Sequence, residues 1–421
     1  MEFLVLETKN YVFSIMRNSF FIALFFFISS FAGFAQDEKS EMLLNNIRIQ
    51  IECTEAIDAM YNFDFETSEK QYLWLKQQYS DHPLPYFLLG LNSWWKIIPN
   101  DAVLTYDDDF FAYMDTTIEK AKTLYDKDEN NFEAAFFLAG AYAMKGRRLA
   151  EHGSYTKAAW VGKSALNYLN EGKENSENLS PEFLFGTGLY NFFREWIPEH
   201  KKYLKPMLLL FKKGDKEKGL DQLEKVTREA FYTRIEAQFY LLDIYSQYEP
   251  GIENRRKGLR IAESLRTSFP NNPYFQRYYT KLLYDLGYWD KAEEEAQDIL
   301  TRIDSSQVGY EGESGRYASY FLGKINKYRY DRNKEDSKKR DAIKYFNGYL
   351  IFAKEVDALE KGYTRQAYIE LARFAVQEER TKEALKYYQL FLDADPSKKR
   401  ESYKEAKNYI KENEEKKGWF W

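Results

Sequence analysis

The chain has 421 residues, 61 Lys+Arg against 66 Asp+Glu and a formal net charge of −5, which argues against a nucleic-acid binder. That length leaves room for two or three ordinary domains or one long repeat array, and a hydrophobic fraction of 44% excludes a mostly disordered chain. Aromatic residues reach 18% while Gly (21) and Pro (10) are scarce, a balance that points to long helices packed through aromatic side chains.

At the amino terminus, Phe20 to Ile28 read FFIALFFFI, long enough for a signal-peptide core and short for a membrane span. Arg17 supplies the positive flank, and Gly33-Phe34-Ala35 offers small residues to a signal peptidase, so cleavage is expected between Ala35 and Gln36. Glu2 and Glu7 do not suit a positive flank, which makes Met16 the better start. No cysteine follows at a lipobox position, and Cys53, the single cysteine, excludes an intrachain disulfide. The mature chain is therefore expected to be exported, soluble, without a membrane span and not a lipoprotein; a bacterial periplasm suits it best.

Downstream, helical spacing dominates and sustained alternation is absent. Gly258-x3-Ala262-x2-Leu265 is followed by Phe269-Pro270-Asn271-Asn272-Pro273, and then by Asp290-Lys291-Ala292-x3-Ala296-x2-Ile299. Gly258 and Ala292 stand 34 residues apart. Thr381-Lys382-Glu383-Ala384-x3-Tyr388-x2-Phe391-x4-Pro396 repeats the theme, as do Ser68-x3-Tyr72-x2-Leu75 and Ala342-x3-Phe346-x2-Tyr349. A small residue at a helix crossing lets two axes approach, and the aromatic residue one turn later fills the groove beside it. A matching large-then-small pattern marks partner helices at Tyr86-x2-Leu89-Gly90, Phe136-x2-Ala139-Gly140, Ser319-x2-Leu322-Gly323 and Tyr368-x2-Leu371-Ala372.

This pattern resembles the tetratricopeptide repeat family over most of residues 42–396. The resemblance implies an all-α fold, a right-handed superhelical solenoid of antiparallel helix pairs. Seven or eight pairs are expected, closed by a polar helix near residues 399–416. Spacing stretches around 96–132, 304–317 and 331–341 predict inserted turns or extended loops there. In the middle, Gly186-x-Gly188-Leu189-Tyr190-Asn191, Pro198, Leu204-Lys205-Pro206 and Gly214-Asp215-x3-Gly219-Leu220 form an ordered series. That series is similar to a signature segment of the tetratricopeptide repeat protein 39 family, which implies architecture and no catalytic chemistry. The expected organisation is a signal peptide (1–35), N-terminal repeats (36–178), central and C-terminal repeats (179–396), and a capping helix with the aromatic tail Trp419-Phe420-Trp421 (397–421).

Catalytic signatures are missing: there is no phosphate-binding glycine loop, no His-Glu-x2-His and no Gly-x-Ser-x-Gly. His82, His152 and His200 sit in unrelated surroundings and read as loop or helix-end residues, so neither a metal nor another cofactor is expected. Asp107-Asp108-Asp109 lacks calcium-loop spacing and reads as a helix start. Glu313-Ser314-Gly315 superficially resembles the opening of the lytic transglycosylase motif, but Gly323-Lys324-Ile325-Asn326 stands where that motif continues, so a helix start is the expectation.

A binding surface is the natural destination. The first helix of each pair should line the concave face and present Phe87, Trp94, Trp95, Tyr274, Arg277, Lys281, Tyr284, Tyr317, Tyr320, Lys324 and Arg373. Aromatic residues with Arg and Lys are the types that grip peptides or stack on sugars, and the four cations are the hardest to bury. The expected function is a non-enzymatic scaffold for another protein or peptide; glycan binding or cleavage in a cell envelope is the competing class.

Overall fold

Local capping sets where the helices start. Asn46, Asp64, Asn131, Asp215 and Asn272 each accept a hydrogen bond from a backbone N–H two or three residues onward. His82 does the same, its Nδ1 accepting from the Leu84 N–H at 3.1 Å. The computed structural model describes residues 42–100, 102–174, 180–202, 205–208, 211–249, 251–359, 362–394 and 400–418. The expected signal peptide and the aromatic tail lie outside the described residues, and everything below concerns the unit spanning residues 44–421.

Among the described residues the fold is all-α, with seventeen helices of ten residues or more. They run as eight pairs and a cap. The N-terminal pairs are α1 (Ile47–Tyr61) with α2 (Phe65–Gln78), α3 (Pro83–Ile97) with α4 (Asp107–Lys127), and α5 (Phe132–Glu151) with α6 (Tyr155–Glu174). Next come α7 (Glu182–His200) with α8 (Lys216–Glu229), α9 (Arg234–Asp243) with α10 (Ile252–Ser268), and α11 (Pro273–Asp285) with α12 (Trp289–Asp304). The last are α13 (Gly312–Asn333) with α14 (Asp336–Glu355) and α15 (Gly362–Gln377) with α16 (Thr381–Ala394), followed by the cap α17 (Glu401–Gly418). Each helix packs chiefly on its neighbours in sequence, which makes the array a helical-repeat solenoid.

The crossing residues behave as their spacing demands. Ser68, Ala292, Ala342 and Ala384 are fully buried, as are Phe346 and Tyr349 one and two turns along. Ser68 adds a hydrogen bond to Asn92 Oδ1 (2.7 Å) across the α2–α3 contact. The extra spacing was expected to form loops, but it goes largely into helix: α4 has 21 residues and α13 has 22, and only Lys334 and Glu335 separate α13 from α14. Residues 98–100, 102–106 and 305–311 form turns or loops of the expected kind.

The ordered glycine series has a packing explanation. A Cβ on Gly219 of α8 would lie 2.7 Å from both the Gly188 carbonyl oxygen and the Phe192 nitrogen of α7. A Cβ on Gly188 would in turn meet the Gly219 carbonyl oxygen at 3.1 Å, so backbone lies directly on backbone at this crossing.

Candidate functional site

The array does not stay open. Trp95 on α3 is fully buried and meets Tyr61 of α1, Phe239 of α9 and Phe275 of α11 edge to face, with centroids 5.1, 5.6 and 5.4 Å apart. Glu236 on α9 accepts from Trp95 Nε1–H (2.8 Å) and the Tyr61 hydroxyl (3.0 Å). Asn272 donates to the Tyr61 carbonyl (2.8 Å), and the Asn271 N–H donates to Asn62 (2.9 Å). Elements 141 to 211 residues apart in sequence are thus joined, and the first five pairs wrap into a closed turn.

Inside that turn lies an apolar chamber of about 680 Å³, walled by α3, α5, α6, α7 and the α9 region. Phe87 and Trp94 face it from α3, and Phe185, Leu189 and Phe193 from α7. The wall shared by α5 and α6 sets small residues, among them Ala143, Ala158 and Gly162, between larger ones such as Phe136, Met144 and Leu166, and a Cβ on Gly162 would meet nothing within 4 Å. Where α9 ends, the chain widens into a π-helical turn over Ile244–Tyr248, placing Asp243 and Tyr248 at the chamber wall.

Arg147 is the cation among the lining residues. Its Nε donates to Glu151 (3.1 Å), its Nη1 donates to the Tyr240 hydroxyl, and its guanidinium lies 4.7 Å from the Trp94 ring centroid. Burial opposes its charge, but Tyr240 and Glu151 outweigh that and hold its pKa above the ordinary arginine value. The acids nearby have their own partners. Burial raises the Glu236 pKa against the opposing bonds from Trp95 and Tyr61. Asp243 is likewise raised by burial, although Tyr278 donates to it at 2.8 Å and Gln247 donates as well. Glu182 accepts the Phe231, Tyr232 and Thr233 N–H groups at 2.7, 3.0 and 2.9 Å.

A second, smaller hollow of about 270 Å³ adjoins the first, sharing Trp94, Arg147 and Glu151. Its other walls include Tyr274, Arg277, Glu313, Arg316 and Tyr317. Arg277 is buried, donating to the Pro99 carbonyl (2.9 Å) and lying 5.1 and 5.4 Å from the Tyr274 and Tyr317 centroids. Arg316 is buried too, its guanidinium forked onto both oxygens of Glu313 in the first turn of α13. Glu313 thus starts a helix, as expected, with its carboxylate held by an arginine.

No family model and no curated protein matches this chain. Among solved structures, the crystal structure of yeast Tom70 is similar at 13% identity, covering 87% of this chain and 96% of that one with a TM-score of 0.21. The helix pairs themselves define the fold.

The eleven residues expected on the concave face divide into three sets. Phe87 and Trp94 line the chamber; Trp94, Tyr274, Arg277 and Tyr317 line the smaller hollow. Trp95 and Tyr320 line neither hollow: Trp95 is buried in the closure and Tyr320 is stacked on Tyr363 with centroids 4.1 Å apart. The remainder form a half-exposed row along α11, α13 and α15: Lys281 bonds Asp285 (2.5 Å), Tyr284 packs on Phe321 (4.9 Å), Lys324 reaches Glu370 (3.5 Å) and Arg373 holds Glu405 (2.7 Å). Of the four cations only Arg277 is buried, met by a carbonyl and two ring faces, while Lys281, Lys324 and Arg373 stay partly exposed.

The histidines sit at helix ends as expected: His82 caps α3, His152 follows α5 and bonds Asp107 (2.8 Å), and His200 stacks on Trp196 in the last turn of α7. Asp107 starts α4 and pairs with the fully buried Arg148 (2.7 Å). Burial pushes the Cys53 thiol up to about 12, with Glu52 adding to the effect, so it stays protonated at neutral pH. Among the described residues no three His, Cys, Asp or Glu side chains converge as a metal site, and no helix is long and apolar enough to cross a membrane. The sequence reading missed Arg147, Glu236, Asp243 and the chamber. The available signal was the Ala/Gly face of α5 and α6, where an ordinary core would carry larger side chains.

Proposed function

We propose that this chain is an exported scaffold that holds a partner protein along the inner helices of its C-terminal pairs. The observation that carries the reading is the half-exposed row of aromatic and cationic side chains on consecutive first helices. Arg277 lies against Tyr317 between α11 and α13, and Tyr317 meets Tyr363 (5.7 Å) between α13 and α15. Lys281, Tyr284, Lys324 and Arg373 lie along that row, one or more on each helix. Export is supported by the apolar run Phe20–Ile28 and the small residues before Gln36. From the likeness of residues 186–223 to the tetratricopeptide repeat protein 39 family we take architecture alone.

The test is affinity capture from envelope extract with the full chain beside a Lys281→Ala/Lys324→Ala variant. Lys281 pairs with partly exposed Asp285, and the buried Glu370 that Lys324 reaches keeps Lys327 and Arg373 beside it, so loss of the two lysines should cost little stability. A stoichiometric partner retained by the parent and lost by the variant, at equal melting temperature, supports the reading. Equal capture by both removes the row as the binding surface. Amino-terminal sequencing of the envelope form checks export, with Gln36 the expected first residue.

A further inference from the structure

We propose that the chamber inside the closed turn binds one long-chain monoanionic amphiphile, its acyl tail among α3, α5, α6 and α7 and its acid group against Arg147. The hollow of about 680 Å³ is partly open at its rim, where Ala143 is exposed, so a ligand has a way in. It falls within the roughly 300–1,000 Å³ typical of small-ligand sites, and its wall of apolar side chains with few polar groups is of the same type. Gly162 weakens the helix it sits in, and open space lies where its side chain would be. A larger residue there would fill the chamber.

The wall also selects among occupants. It is built from helices, whose backbone groups already bond each other, so an extended peptide would bury N–H and C=O groups without partners. An acyl chain has none to satisfy. At the polar end, Arg147 retains 32% of its side-chain surface although rings and acids surround it, and it lines both hollows. Glu182, Glu236 and Asp243 each bond donors of their own, Glu151 is shared with Arg148 (3.3 Å), and Arg147 gives Nε to Glu151 and Nη1 to Tyr240, so its Nη2 is the donor left for an anion. The site does not depend on the C-terminal row or on any protein partner.

The experiment is calorimetric titration of the full chain, stripped of co-purified lipid by passage over a hydrophobic resin, with palmitate, hexadecan-1-ol and octanoate. The expected result is one palmitate per chain, bound at least tenfold more tightly than either the alcohol or the short acid. Gly162→Phe, and independently Ala143→Leu on the neighbouring helix, should weaken palmitate at least tenfold while the melting temperature holds. Arg147→Gln should bring palmitate and hexadecan-1-ol to similar affinities. Absence of palmitate binding, or binding unchanged in both filled variants, overturns the proposal. Equal affinity of the parent for palmitate and hexadecan-1-ol overturns the assignment of the acid group to Arg147.

Discussion

The same substitution, glycine to alanine, should have opposite consequences at two helical positions. At Gly219 the added Cβ would stand 2.7 Å from two backbone atoms of α7, the Gly188 carbonyl oxygen and the Phe192 nitrogen. Neither atom can rotate away, so α7 and α8 must separate by several tenths of an ångström along their shared crossing, opening the contact of Leu223 and Phe192, both fully buried. Overpacking of this kind costs about 1–3 kcal/mol, against which alanine recovers about 1 kcal/mol of helix propensity. Because the obstacle is backbone, the upper part of the range applies and Gly219→Ala should destabilise by about 2 kcal/mol. At Gly162 nothing lies within 4 Å of the new atom, so only the propensity term remains and Gly162→Ala should stabilise by about 0.5–1 kcal/mol. Native-state hydrogen exchange read by mass spectrometry is the suitable assay, since repeat arrays depart from two-state melting. Protection should fall over residues 182–229 in the first variant and rise over 155–169 in the second. Gly219→Ala with parental protection would show that the two backbones are not in contact, and would remove the packing account of the glycine series.

Three further outcomes follow from the packing and the charges. Arg148 has no exposed side-chain surface and bonds Asp107 and the Val103 carbonyl (2.8 Å); Arg148→Ala leaves a buried carboxylate and should cost about 3–5 kcal/mol, measured by urea unfolding. Ala384→Leu places a larger side chain at the fully buried α15–α16 crossing and should cost about 1–3 kcal/mol; an unchanged unfolding midpoint would mean the crossing lies elsewhere. Glu236 has its pKa raised by burial, so the folded chain holds that proton more tightly than the unfolded chain does. Its contribution is present below the ordinary carboxylate pKa and is lost as pH rises through the raised one. Glu236→Gln keeps an acceptor for Tyr61 and Trp95 and should therefore flatten that part of the pH–melting curve; curves that stay parallel would refute the assignment.

The local architecture was legible because it rests on neighbours in sequence. Ala292, Ala342 and Ala384 are each fully buried, and the local pattern of a small residue followed by large ones four and seven positions on is enough to find Ala342 and Ala384, as the 34-residue step from Gly258 is for Ala292. Loop insertion misled at 331–341, since charged residues such as Arg332 extend a helix as readily as they fill a loop, and α13 simply runs on. Burial of the binding candidates was harder to read. Trp95 and Trp94 are adjacent and chemically alike, yet one closes the turn and the other borders both hollows; the difference comes from Phe239 and Phe275, which no local pattern ties to residue 95. A chamber is harder still, because it is made of what its lining residues do not reach.

The closure also sets an order of events during synthesis. Trp95 and Tyr61 gain their covering rings and the Glu236 carboxylate only once residues 236–275 have been made, so four helix pairs emerge before the surface they will bury exists. An open array can settle pair by pair as it lengthens, whereas this one must keep an aromatic edge available and unsatisfied until α11 arrives. A ribosome stalled, or a chain cut, between α8 and α9 would release a fragment in which Trp95 and Tyr61 lack the rings and carboxylate that cover them from one side, the kind of species that aggregates or engages chaperones. The aromatic cluster that seals the first five pairs is thus also the part of the molecule most exposed to failure before the chain is complete.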